Sequence, residues 1–203
     1  MIRLIGGPAR CGKSTLAKRV CQAVDGSVLS GDAVVYSLKN YVREDWVPGL
    51  FTGTVNPVQK LADPAAQLDR LLERDIAVWP FYEKYIEALQ CDAPLEDILV
   101  DGNLWPDLIK DLPNKHRAVF LVNLADPDVQ AQSLIAIRDS DADNNWMREW
   151  SDERIGTWAH FNLLRSKRYV AMCVNYEYPY FDVARGFSIA QDQAFDYLVK
   201  KEV

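Results

Sequence analysis

The chain has 203 residues, 49% of them hydrophobic, and its 29 acidic side chains outnumber 23 basic ones for a net charge of −6. That composition suits one packed domain and argues against a broad nucleic-acid surface, which would need an excess of lysine and arginine. No apolar run approaches the ~20 residues of a membrane span, and Cys11, Cys21, Cys91 and Cys173 lack metal-ligand spacing, which points to a reduced, cytoplasmic protein.

In chain order, Ile2 to Ile5 reads as a short buried strand, with no cleavable apolar leader before it. The next residues are Gly7-Pro8-Ala9-Arg10-Cys11-Gly12-Lys13-Ser14, followed by Thr15. Gly, four residues, Gly, Lys and then Ser or Thr is the phosphate-loop pattern. Its glycines let the backbone curl so that successive N–H groups point at a polyphosphate, and the helix behind adds its positive dipole end. Leu16, Val20 and Val24 continue at helical spacing, and the helix is expected to stop near Gly26. In this context Lys13 reaches the β- and γ-phosphates and Ser14 ligates Mg²⁺.

Val28 to Ser30 predicts a second strand, leading into Gly31 and Asp32. Ligands of open parallel sheets bind beyond the carboxyl ends of the strands, so Asp32 is expected to face the same crevice as Lys13. Residues 34 to 94 read as a helical insert: a first helix on Val34, Val35, Leu38 and Val42, a second opened by Pro64, and a third after Pro80. Its aromatic residues (Tyr36, Tyr41, Trp46, Phe51, Trp79, Phe81, Tyr82 and Tyr85) are candidates for a pocket lining or for core packing.

Ile98 to Asp101 predicts a third strand ending in an acid, placed for a Walker-B role near the metal. Ala118 to Val122 is a fourth strand, with a helix from Asp128 to about Arg138. Residues 139 to 144 only superficially resemble a calcium loop, because Asn144 and Trp150 stand where that loop needs Gly and Glu. A further helix begins at Ser151, a fifth strand lies within Tyr178 to Val183, and a closing helix spans about Ile189 to Lys200. Strands alternating with helices predict a three-layer α/β domain on a parallel sheet. There is no internal repeat.

This order (phosphate loop, acid after strand two, helical insert, Asp-Gly after strand three, arginines after strand four) resembles the P-loop small-molecule kinases. That group includes nucleoside and nucleotide, shikimate and gluconate, zeta-toxin-like and 2-phosphoglycerate-kinase-like members. The resemblance implies a five-stranded parallel sheet with a core of residues 1–33 and 95–203, a substrate-binding insert at 34–94 and a lid at about 138–158. It implies ATP and Mg²⁺ as cofactors, with Gly7 through Thr15 on the phosphates and Ser14 and Asp101 on the metal. Asp32 matches the acid placed against the acceptor hydroxyl, Arg138 and then Arg148 are the lid arginines, with Arg154 nearby, and Arg185 borders the adenine. Asp101-Gly102 is followed by Asn103-Leu104-Trp105-Pro106 instead of Phe-Pro-Arg, so the arginine that would hold a nucleoside monophosphate is missing.

A phosphate acceptor needs cations around it, whereas a hydroxyl acceptor needs a carboxylate within hydrogen-bond reach. Asp32 therefore favours phosphoryl transfer to a hydroxyl of a small metabolite such as a nucleoside or sugar acid, with Tyr36, Lys39 and Arg43 as candidate substrate contacts. The alternative is a nucleotide-binding ATPase or switch acting through a protein partner. A polynucleotide kinase is disfavoured by the acidic balance.

Overall fold

The computed structural model describes residues 1–52, 63–92, 97–112, 115–140 and 146–200. Five short runs rich in β-branched and aromatic residues form the strands: β1 (Ile2–Gly6), β2 (Ser27–Ser30), β3 (Ile98–Asp101), β4 (His116–Val122) and β5 (Tyr180–Asp182). They lie in the order β2-β3-β1-β4-β5, and every pairing is parallel. Parallel neighbours require crossovers, and the helices supply them: α1 (Lys13–Val24), α2 (Gly31–Tyr41), α3 (Pro48–Phe51), α4 (Pro64–Asp92), α5 (Pro106–Ile109), α6 (Pro127–Arg138), α7 (Asp152–Asn175) and α8 (Phe187–Val199). A 3-10 turn, Val183–Arg185, joins β5 to α8.

The period-two alternation of the strands sorts the core into two layers. Ile2, Leu4, Ile98, Val100, Phe120 and Val122 face α4 and α7, while Ile5, Leu99, Val119 and Leu121 face α1 and α8. A sheet covered on both sides needs such near-continuous apolar strands. Arg3 is the exception: its Nε donates to the Leu198 carbonyl at 2.9 Å, and its guanidinium pairs with Asp97. A third cluster (Leu134, Met147, Ile155, Trp158 and Ala159) fastens α6 to α7 and packs against Ala9.

One expected break is absent. The sequence places a helix start at Pro80, but α4 runs through it without interruption. Proline removes one backbone hydrogen bond from a helix, and here it sits on the exposed side, while Val78, Trp79, Tyr82 and Ile86 bury the opposite stripe. Burial of those four side chains, each worth about 1.5–3 kcal/mol, outweighs the lost bond. Among the described residues, no helix is long and apolar enough to cross a membrane.

Register decides where the chemistry can sit. Asp101 pairs with Ile5 of β1 on one side and Ser30 of β2 on the other. The loop after β1, the start of α2 and the last residue of β3 therefore emerge level, at one edge of the sheet.

Candidate active site

The loop between β1 and α1 is built by backbone conformations that most residues avoid. Gly7 has φ 129°, Arg10 φ 64° and Gly12 φ 84°. A Cβ on Gly7 would lie 2.0 Å from the Leu121 carbonyl oxygen, so β4 presses directly on the loop. Gly12 is covered by Phe187 and Gln191 of α8, and the Gln191 side chain donates to the Gly12 carbonyl at 3.2 Å. The loop is thus gripped from β4 and α8, and Ala9, Arg10 and Gly12 to Thr15 line the crevice.

Lys13, at the first position of α1, donates from Nζ to the Pro8 carbonyl at 2.7 Å, which arches the ammonium back over the loop. Burial lowers its pKa, while Asp32 and Asp101 work against that fall. Ser14 Oγ donates to Asp101 Oδ2 at 2.8 Å. Burial leaves the Asp101 carboxyl above its usual range despite that bond and the Lys13 charge. Cys11 is fully buried, and desolvation pushes its thiol up to about 11, so it remains protonated at neutral pH.

Asp32 lies in the first turn of α2, where an acid complements the helix dipole and Ser30 serves as the cap. Gly31 and Gly102 nearly touch: a Cβ on Gly31 would lie 3.2 Å from the Gly102 Cα and 2.8 Å from the Tyr82 hydroxyl. Tyr82 donates to the Gly31 carbonyl at 2.8 Å, so α4 fixes the bend that presents Asp32.

These residues share one cavity of about 460 Å³. Ala9, Arg10 and Gly12 to Thr15 form one side, Ser30, Asp32, Asp101 and Gly102 another, and Ile137, Trp146 and Phe187 supply an apolar end. The volume falls within the usual range for small-molecule sites.

The predicted residues fall into two groups. Arg10, Lys13, Ser14, Thr15, Asp32 and Asp101 come together at the cavity. Arg138 instead donates to Asp139 at 2.8 Å, to Asp152 at 2.6 Å and to the Trp150 carbonyl at 2.8 Å, tying the end of α6 to the start of α7. Arg148 is exposed on the turn before α7. Arg185 is exposed beside Asp182 and borders a separate hollow of about 300 Å³ along β5 and α8. Arg43 pairs with Asp45 at 2.6 Å, Lys39 is half-buried, and Tyr36 is exposed. Of the insert aromatics, Trp79 and Tyr82 belong to the core, while Tyr41 and Trp46 are exposed. Residues 141–144 of the calcium-like stretch, and 53–62 and 93–94 of the insert, lie outside the described residues.

Sequence reasoning passed over a buried polar network next to the cavity. Asp75 of α4 accepts from Arg74 at 2.6 Å and from Trp105 Nε1 at 2.8 Å. Trp105 stacks on Tyr169 of α7, with ring centroids 4.1 Å apart. One turn earlier on α7, the buried Arg165 donates to Asn103 Oδ1 at 2.7 Å. The position of Arg165 within a helix gave no signal, because a helical arginine ordinarily reads as a solvated face. Arg165 of α7 therefore meets the segment after β3, which carries no arginine of its own.

The β1–α1 loop follows the central strand of a parallel β2-β3-β1-β4-β5 sheet, with an acid closing the adjacent strand, in a three-layer α/β fold. A shikimate kinase from Bacteroides thetaiotaomicron has a similar structure, at a TM-score of 0.51 and 12% identity over 95% of each chain. A gluconokinase from Sinorhizobium meliloti aligns at a TM-score of 0.47 and 14% identity, over 97% of this chain and 90% of that one. A shikimate kinase from Acinetobacter baumannii aligns at 0.46 and 14%, over 95% and 87%. No protein-family model matches the chain, and no curated protein matches it in sequence. At 12% identity the likeness to the Bacteroides enzyme is one of fold.

Proposed function

We propose that the protein is an ATP- and Mg²⁺-dependent kinase that phosphorylates a hydroxyl group of a small metabolite, such as a nucleoside or sugar acid. The observation that carries this reading is the shared cavity in which Lys13, the Ser14–Asp101 pair and Asp32 meet. The fold likeness to solved kinases adds support at a coarser level.

Phosphoryl transfer depends mainly on positioning and on neutralising charge spread over the phosphate oxygens. The loop N–H groups and the α1 N-terminus bind the polyphosphate, and Lys13 carries its positive charge to the terminal phosphates. Ser14 and Asp101 are hard oxygen donors in contact, one hydroxyl and one carboxylate, which is the set Mg²⁺ favours alongside phosphate. They would hold that ion, which when bound neutralises phosphate charge. Asp32, exposed at the cavity on a helix start braced by Tyr82, orients the acceptor hydroxyl and takes its proton. The segment at about 138–158 acts as the lid, with Arg148 its available cation and Arg138 bracing its base through Asp139 and Asp152. Residues 34–94 form the acceptor side.

A panel of hydroxylated metabolites incubated with ATP and Mg²⁺ tests the proposal. Acceptor-dependent ADP release that falls by about 10² or more in Asp32→Asn, with ATP binding retained, supports a general base at this position. ATP consumption stimulated by a protein partner and by no metabolite would favour a switch instead.

A further inference from the structure

We infer that the Arg10 side chain, held by Trp146, is the arginine that grips the terminal phosphate of a bound nucleoside triphosphate; this rests on the phosphate-loop reading above. The backbone of Arg10 carries the first sign. Among the described residues, three that are not glycine have positive φ: Arg10, Asp25 and Glu177. Asp25 and Glu177 stand at the C-terminal ends of α1 and α7, where a left-handed residue closes a helix. Arg10 closes none. It holds φ 64° within the loop, a conformation that glycine would adopt without strain. Such strain collects at ligand clamps, where the side chain it presents is needed.

That side chain lines the cavity with Lys13, and these two are the cations among its lining residues. Lys13 is turned back to the Pro8 carbonyl, whereas Arg10 has neither an ion pair nor a side-chain hydrogen bond among the described residues. Its contact is with an aromatic ring: the guanidinium carbon lies 5.2 Å from the Trp146 ring centroid. Trp146 is itself fixed edge-on against Trp150 and Trp158, with centroids 4.9 and 5.7 Å away. The ring orients the guanidinium and leaves its N–H donors unengaged, and that planar fork matches phosphate oxygens in pairs. The neighbouring arginines are committed elsewhere. Arg138 holds Asp139 and Asp152, Arg154 lies 3.9 Å over Trp150, and Arg165 donates to Asn103. Arg148 is not among the residues that line the cavity.

Calorimetric titration of the full chain, with Mg²⁺ and either a non-hydrolysable ATP analogue or ADP, tests the role. The readout is the ratio of the two affinities, in which whatever the nucleotides share cancels. Arg10→Gly is expected to weaken the analogue by about tenfold or more, as for a lost hydrogen bond to a charged group, and to leave ADP within about twofold. Its denaturation midpoint should stay at or above that of wild type, because glycine adopts φ 64° freely. Arg10→Lys keeps the charge without the planar fork and should restore only part of the analogue's affinity. Trp146→Ala should shift the same ratio in the same direction, and Trp146→Phe, which keeps an aromatic face for the guanidinium, should return it. An unchanged ratio in Arg10→Gly, or a lowered midpoint with both nucleotides weakened equally, overturns the role. An unchanged ratio in Trp146→Ala overturns the part given to Trp146. A wild-type chain that binds neither nucleotide overturns the phosphate-loop reading itself, and the role of Arg10 with it.

Discussion

The hydroxyl of Ser14 donates to the carboxylate of Asp101 at 2.8 Å, joining the first turn of α1 to the end of β3. The contact exists because β1 and β3 are neighbours in register, with Asp101 opposite Ile5. Neither residue makes a metal site alone; together they present a hydroxyl and a carboxylate at the foot of the phosphate loop. Replacing Ser14 by Ala removes one donor and leaves a partly desolvated carboxylate without its partner. Mg²⁺-dependent ATP affinity should fall about tenfold or more, consistent with the loss of a hydrogen bond to a charged group. Binding measured in chelator should be little changed. Equal losses with and without the ion would mean that Ser14 shapes the loop and does not serve a metal.

The loop's geometry makes a stability prediction with an internal control. Gly7→Ala places a methyl against the Leu121 carbonyl at a φ of 129°, and both atoms belong to backbone that cannot step aside. It should cost about 3 kcal/mol or more. Gly156, within α7, has nothing within 4 Å of an added Cβ. Gly156→Ala should stabilise the fold by about 0.5–1 kcal/mol through helix propensity. Chemical denaturation of the two variants should shift the midpoint in opposite directions.

A third prediction concerns pH. Partial burial works to raise the Asp97 pKa, but hydrogen bonds from Arg3 and the Met1 amine overcome it and hold the carboxyl below its usual range. A depressed carboxyl contributes stability that is present above the unfolded pKa, about 3.9, and is lost as pH falls through the folded value. Asp97→Asn should therefore destabilise the protein by about 1–3 kcal/mol near pH 7. Wild type and variant should converge in acid. A difference that persists unchanged at low pH would assign the loss to packing.

Local chemistry made part of this molecule legible from residues alone. The glycines at 7 and 12 announce a curled backbone wherever they occur, and Ile2 to Ile5 and Val119 to Val122 carry the apolar density of buried parallel strands. The strand-end rule for open parallel sheets placed Asp32 at the same edge as Lys13, and both line the cavity together with Asp101. What stayed hidden depends on tertiary placement. The continuity of α4 through Pro80 rests on burial of Val78 and Tyr82, which no helix-breaking rule can weigh. Arg165 and Asn103 meet across 62 positions of sequence, and each looks ordinary in its own segment. The insert's aromatics drew attention by number, yet the rings that line the cavity, Trp146 and Phe187, come from the turn before α7 and the start of α8.

Phosphorus NMR of ATP, Mg²⁺ and an acceptor pool tests the central claim most directly. The account predicts a new phosphate-ester signal that grows as ATP becomes ADP, disappears with Lys13→Ala, and forms at about 10²-fold lower rate with Asp32→Asn. Ester formation at the wild-type rate in Lys13→Ala, or ATP conversion to inorganic phosphate alone with every acceptor, would contradict it.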